Sequence, residues 1–487
     1  MNSVSNVPNT LFDVESRVTY SEESNGGRFW PGQALWISGL IETIPADKFP
    51  EIWPQVLTIA DSIRLAYLNL SMRDCALWPK EVINNPGLLL EPMMAGNLSP
   101  FCLSGGVSYF STKGLGIYYN MIGQQASQAA QFPANHLTQY LIAIAENFSV
   151  DLSDLEPINR RAREIQIMTS VDESWANTKF MPGDLFMFIA HEAYQDPMAE
   201  RALSVELLQE FARVESETGF APYKRHPEFK AGIVIDFENL SSVEIDRIRA
   251  AVATLNGDNP ESLENSDIVV IDLLLATGRA AGPLTNFAKN YPGSKKIGKR
   301  HTVLYRNIID WTVPELRSIA ETLNFSDISD DDLKRNLYAI LVGHEESHGH
   351  NPITFSSSLE ETRAILQGFI GAAQGLGCKD LEPLISTYIA YLLRYENNYQ
   401  KWLSTNPTSR SSHVDYHESV ALILGWLNKN SAITVHEDKS LLIDTTKFLE
   451  STLSLSGLLV ETATAGKDIH GLTRLHDTEI VHRIAYA

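Results

Sequence analysis

Apolar residues recur at spacings of three and four through much of this chain, the period of helices with one buried face. FPEIWPQVLTIADSIRLAYLNLSM (residues 49–72) and HLTQYLIAIAENF (136–148) carry the pattern early. SGGVSYFSTKGLGIYY (104–119) reads instead as a glycine-bounded hairpin. The middle third changes character. FKAGIVIDF (229–237), DIVVIDLLLA (267–276) and HTVLYRNII (301–309) are short β-branched or alternating runs, and predict strands. Beyond Trp311 the helical period returns in segments 313–324, 330–350, 358–377, 380–403, 413–429 and 438–460, parted by loop signals such as STNPTSRSS (404–412). The pattern predicts an α+β, predominantly α-helical protein of two lobes with a cleft. One lobe is mixed with a small β-element, and the other is helical and C-terminal. The expected divisions are a loose arm over 1–25, a mainly helical region over 26–227, a β-containing segment over 228–310 and a helical catalytic lobe over 311–487.

Candidate chemistry concentrates on the segment that begins at Ser329-Asp330-Asp331, a good N-cap and first turn for a helix. Leu333, Leu337, Ile340 and Leu341 form its apolar stripe, and continuing by three and four gives His344 and then His348. The pentapeptide His344-Glu345-Glu346-Ser347-His348 is an H-E-x-x-H motif. On a helix its two imidazoles share one face and can hold one Zn²⁺, with Glu345 placed as base for a metal-bound water. A lone interior histidine is usually just hydrogen-bonded in a core; a pair at i, i+4 with a glutamate between them points to metal. Zinc then wants a third protein ligand and keeps a fourth position for water. SSSLEETRAILQGFIGAAQGLG (356–377) opens with a serine cap and places Glu360 and Glu361 in a first turn, followed by Arg363. An acidic first turn is also what the helix dipole favours with no metal present.

HEESHG followed by LEETRA resembles the dipeptidyl peptidase III family of zinc peptidases, and the likeness extends over about residues 280–430. TNFAKNYPGSKKIGKRHTVLYRNI (285–308) is similar to that family's loop-and-strand stretch, and HVDYHESVALILGWL (413–427) to its histidine-bearing helix. The resemblance implies a gluzincin site in which Glu361 is the third zinc ligand. Glu360 and Arg363 stand behind the ligands, and His417 (or His413 in the other register) stabilises the transition state. The family spaces its histidines as H-E-x-x-x-H, one residue wider than here. For its substrate-binding tyrosine the nearest segment is ESETGFAPYK, around Tyr223, so substrate-binding residues stay unassigned.

Other motifs carry less. His191-Glu192 in FMFIAHEAYQDP has no second histidine four residues on, and reads as a helix surface pair. Gly293 to Arg300 nearly matches a phosphate-binding loop, but it lacks the closing Ser/Thr and runs into a strand, so it reads as a solvated basic loop. A net charge of −21 argues against nucleic acid or an anionic membrane as partner. Cys75, Cys102 and Cys378 give no disulfide framework. The start lacks a secretory pattern and the longest apolar run (268–276) is too short to span a bilayer, which makes the cytoplasm the expected location. The expectation is a zinc-dependent metallopeptidase that cleaves short peptides, releasing dipeptides from the amino terminus. Its alternatives are a zinc hydrolase of a non-peptide amide and a non-catalytic zinc-containing binding protein. Its partner would be a peptide or other small molecule, with oligomeric state open.

Overall fold

The computed structural model describes residues 35–37, 51–56, 102–103, 108–109, 123–132, 137–150, 166–167, 170–171, 173–193, 225–258, 266–278, 287–291, 300–323, 325, 328–350, 353, 356–378, 380–404, 412–436, 441–465 and 478–485. The 1–25 arm, the Tyr223 segment and residues 293–299 of the basic loop lie outside them. The described residues are mostly helical with a small sheet, the α+β class that the apolar pattern predicts. They form two compact units. One takes the residues up to Asp236 with those in 267–284 and 290–303; the other takes those in 237–266, in 285–289 and from Leu304 onward. No helix among them is long and apolar enough to cross a membrane.

The first unit holds most of the sheet. Its elements are β1 (Leu35–Ile37), β2 (Cys102–Leu103), β3 (Ser108–Tyr109), α1 (Leu137–Phe148), β4 (Leu185–Ala193), β5 (Arg225–Val234) and β6 (Ser266–Gly278). β7 (Ala288–Tyr291) and β8 (Arg300–Tyr305) follow, and the order across the sheet is β4-β5-β6-β8-β7, with β1 paired to β6. β4, β5 and β6 run antiparallel. Leu185 to Phe188 and Val269 to Ala276 are buried without alternation, the signature of strands covered on both faces. Trp175 is fully buried, donates its Nε1–H to the Met187 carbonyl at 2.9 Å, and meets Phe186 and Phe188 edge to face.

Three readings are corrected here. LFMFIAHEA is strand β4, so His191-Glu192 lies on a ladder opposite Pro227 and His226 and is no helix pair; aromatic and β-branched residues favour the pleated surface. Arg306 to Ile309, predicted as strand, instead open a helix. Ile309, Val313, Leu316 and Ala320 then fall on one buried face, which carries the helix through Pro314. Of the helix predicted over 438–460, Leu441–Ile443 instead form a short strand that pairs with Ile433–Val435. Asp444 then caps the helix by accepting from the Lys447 N–H at 3.1 Å.

In the second unit the helices are α2 (Ser242–Leu255), α3 (Arg306–Thr322), α4 (Asp330–Ser347), α5 (Ser357–Gly375), α6 (Glu382–Leu403) and α7 (Ser412–Lys429). After the ladder of β9 (Ile433–Val435) and β10 (Leu441–Ile443) come α8 (Thr445–Ala465) and α9 (Thr478–Ala485). Ser329 caps α4 by accepting from the Asp332 N–H at 3.0 Å, and three aspartates fill its first turn. Ser356 caps α5 through the Leu359 N–H at 3.3 Å. α5 is the hub: α2, α4, α7 and α8 all pack on it, and it is buried on nearly every side from Leu359 to Ala373.

α4 and α5 approach so closely that backbone meets backbone. A Cβ on Gly368 would lie 2.6 Å from the Ile340 carbonyl oxygen and 3.1 Å from the His344 nitrogen, and one on Gly343 would lie 3.0 Å from the Gly368 Cα. Glycine is needed at this crossing for space, and the crossing fixes where His344 stands relative to α5. Gly368→Ala is therefore expected to push the helices apart and destabilise the protein by about 1–3 kcal/mol. Denaturant unfolding measures this; a midpoint equal to wild type would show that the helices can part freely here.

Candidate metal centre

The C-terminal turn of α4 and the N-terminal turn of α5 meet at one place, and the ends of the two helices are electrostatically opposite. Helix carbonyls at the end of α4 favour a cation there, while the N–H groups opening α5 favour carboxylates. His344, Glu345 and His348 come from the first end and Glu360 and Glu361 from the second. His344 and Glu345 are buried, whereas His348 and Glu361 are partly exposed.

Three atoms converge. His344 Nε2 and His348 Nε2 lie 3.2 Å apart. Glu361 Oε2 lies 3.5 Å from the first and 3.8 Å from the second. One point about 2 Å from all three therefore exists, the distance at which zinc takes imidazole nitrogen and carboxylate oxygen. Among the described residues these three are the group able to hold a metal ion.

The surroundings fit that use. Glu361 Oε2 is buried with no hydrogen-bond partner, a costly position unless a cation or water meets it. His348 Nδ1 sits 3.0 Å from Glu360 Oε1, so Nδ1 donates and, once the imidazole is neutral, the lone pair is left on Nε2, the atom turned to the cluster. Glu360 is fixed in turn by Arg363, which donates Nη2–H to Oε1 at 2.7 Å and Nε–H to Oε2 at 3.0 Å, and by the Ile353 N–H at 2.8 Å. Arg363 is wholly buried. Its remaining donors reach the Asn256 side-chain oxygen at 2.8 Å, Gln367 Oε1 at 3.2 Å and the Ser347 carbonyl at 2.8 Å.

The charges are strongly coupled. Burial opposes ionisation of Glu360, but the hydrogen bonds and charges of His348 and Arg363 hold it down to about 2. Burial pushes Glu361 up to about 7; His348 pulls it down, while the charges of Glu345 and Glu360 add to the rise. Burial works to lower His348, yet Glu361 and Glu360 outweigh it and raise it to about 9. His344 is held well below its ordinary value by burial and by the charge of His348, so it stays neutral.

The other residues expected at the site are engaged as follows. His417 Nδ1 lies 2.6 Å from the buried carboxylate of Glu396, and its ring stacks on Tyr399 with centroids 4.0 Å apart. His413 is partly exposed on the first turn of α7. His350, just past the motif, pairs with Asp258 at 2.5 Å.

Several residues at the site are not marked by any sequence motif. Tyr416 stands near enough to Glu361 to favour its ionised form, and stacks on Tyr395, whose hydroxyl bonds that of Tyr391. Lys289 is near enough to Glu345 for its charge to be felt, and burial lowers the amine to about 7. Arg249 reaches from α2 to Glu346 at 3.0 Å. A signal existed for part of this: tyrosines 388, 391, 395 and 399 fall on one face of α6. For Asn256 and Arg249, about a hundred residues before the motif, no local pattern exists.

The architecture as a whole is similar to that of a known peptidase class, the dipeptidyl peptidases III. The particular solved structure is dipeptidyl-peptidase III from Corallococcus sp. strain EGB, which matches 84% of this chain and 75% of its own at a TM-score of 0.57 and 16% identity. That likeness is one of fold. No protein-family model and no curated protein sequence matches the chain.

Zinc uptake here is expected to release protons. Apo His348 keeps its proton up to about pH 9 and must lose it before Nε2 can ligate, and Glu361 is half protonated near pH 7. Raising the pH from 6 toward 9 should thus strengthen binding, with about one proton or more released per zinc at neutral pH. Calorimetric titration in buffers of different ionisation enthalpy checks this; a pH-independent affinity would contradict it.

Proposed function

We propose that this protein is a zinc-dependent metallopeptidase that hydrolyses short peptides and releases dipeptides from their amino terminus. One observation carries the reading: His344, His348 and Glu361 converge on a point at zinc distance, with Glu345 next in sequence to the first ligand. A fold similar to that of a dipeptidyl-peptidase supports peptide as the substrate.

Zinc bound here would supply a Lewis acid that activates water and polarises a carbonyl. The chain's residues would do the rest. Glu345 acts as general base, taking a proton from the attacking water and returning it to the leaving amine. Its charge is felt at both Glu361 and His348, which supports this role. Lys289 stands by Glu345 with an amine that changes protonation near neutral pH, and favours the ionised base when charged. Glu360 and Arg363 hold His348 in the ligating tautomer. His417, its Nδ1 occupied by Glu396, would offer Nε2 toward the negative charge that develops on the substrate oxygen.

A second reading is a zinc hydrolase of a non-peptide amide on the same scaffold, since the geometry of a metal site does not choose its substrate. Glu345→Gln separates chemistry from binding. It should keep stoichiometric zinc by metal analysis and lose about 10²–10⁴-fold in kcat on a dipeptide-releasing substrate. Normal turnover by this variant would remove Glu345 from the mechanism. Wild-type protein that binds zinc, leaves a peptide library intact and cleaves small amides would establish the second reading.

A further inference from the structure

α4 carries its two histidines unequally. His344 lies within the helix, but His348 is its C-cap, in the turn where carbonyls run out of helical partners and helices fray. Around it, the Gly349 N–H reaches the Glu346 carbonyl at 2.9 Å and the His350 N–H the Ser347 carbonyl at 3.0 Å. α2 anchors this turn from outside. Gly257, at φ +75°, closes α2 in a Schellman turn: the Asp258 N–H bonds the Ala253 carbonyl at 3.0 Å, and the Gly257 N–H that of Thr254 at 3.1 Å. The turn fixes the residues on either side of the glycine. Asn256 is buried and accepts from Arg363 at 2.8 Å, and Arg363 in turn donates to the Ser347 carbonyl at 2.8 Å. Asp258 accepts from Nδ1–H of the buried His350 at 2.5 Å. The cap turn of α4 is thus gripped at Ser347, just before His348, and at His350, just after it.

We propose that the turn Asn256-Gly257-Asp258 is a positioning element of the metal centre, holding the cap turn of α4 in its ligating geometry before an ion arrives. Ligands already in place lose less freedom on binding, so affinity rises with the stiffness of what supports them. Asn256 acts through Arg363, and Asp258 acts through His350. Arg249, two turns earlier on α2, adds a hold on Glu346 at 3.0 Å. A segment about ninety residues upstream of the motif thereby sets how tightly the motif binds. The inference rests on reading His344, His348 and Glu361 as the metal-binding triad.

Asp258 is the member to test, because its side chain is 38% exposed whereas Asn256 belongs to a buried network. Asp258→Ala removes the acceptor for His350; Asp258→Asn removes the charge and keeps an acceptor. Zinc affinity is measured by chelator competition at one pH. The metal-free proteins are melted, and their amide hydrogen exchange is followed through α4 and the turn after it. Asp258→Ala is expected to bind zinc about 10–100-fold more weakly and to exchange the Gly349 and His350 amides roughly tenfold faster. The rest of α4 should exchange as in wild type, with nearly the same melting temperature. Asp258→Asn should stay within about threefold of wild-type affinity. Affinity and exchange equal to wild type in Asp258→Ala overturn the proposal. So does faster exchange along the whole of α4, which would make the pair a support of the fold alone, and so does an affinity that Asp258→Asn fails to restore. Wild type that takes up no zinc defeats the metal reading and this inference together. Wild type that binds zinc but cleaves no peptide defeats only the peptidase reading, and the affinities still decide the role of the turn.

Discussion

The guanidinium of Arg363 is the interaction on which the site depends. A fully buried cation is tolerated only when its charge is paired and its donors are met. Here Glu360 supplies the charge, while Asn256, Gln367 and the Ser347 carbonyl take the other donors. These partners stand at the C-cap of α2, on α5 and at the end of α4, so one side chain holds three helix segments in register. Ser347 Oγ also donates to Gln367 at 2.7 Å, and Asn256 to Gln367 at 2.8 Å, which closes the network. Removing any one member leaves buried polar atoms unpaired, so the arrangement is cooperative rather than a sum of bonds.

Charge explains why a cation suits the place. Glu345, Glu360 and Glu361 crowd one end of the α4–α5 pair, and Arg363 answers only the one it touches. Burial and the neighbouring carboxylates make Glu361 reluctant to ionise, and His348 holds a proton more tightly than a free imidazole does. A divalent ion bound here would remove both strains at once, taking the place of the proton on Nε2 and supplying the positive charge that Glu361 lacks. The helix ends add to this, with carbonyl dipoles of α4 on the cation's side. The close glycine crossing keeps those ends together, because any added Cβ would meet the backbone at Ile340 and His344.

What the sequence made legible follows from which geometry is local. The i, i+4 histidines, the serine caps and the acidic first turn of α5 are set by helix parameters alone, so the pattern located α4, α5 and their facing ends. Strands buried on both faces lack alternation, so the pattern of LFMFIAHEA alone does not mark a strand, and the ladder with β5 assigns it to the sheet. The start of α3 was missed because Arg306 to Ile309 are β-branched enough to extend the preceding strand, and only tertiary burial on a 3.6 period assigns them to the helix. Tyr416, Lys289 and Asn256 reach the site through contacts between elements distant in sequence, and no spacing rule encodes those.

The histidine spacing bears on how such a site can vary on one fold. Four residues along a helix turn about 400°, so side chains at i and i+4 lie about 40° apart on the same face; five residues would separate them by about 140°. The helix here is regular through Ser347, and His348 keeps right-handed helical torsions at φ −60°, ψ −18°. Both Nε2 atoms therefore reach one point with no bulge in the backbone. A chain with one more residue between its histidines must distort the same turn to bring the rings together. In this chain the α4 end, the α5 carboxylate and the buried arginine behind them are therefore brought together on regular backbone, with the four-residue spacing doing alone what a longer one could do only through a bulge.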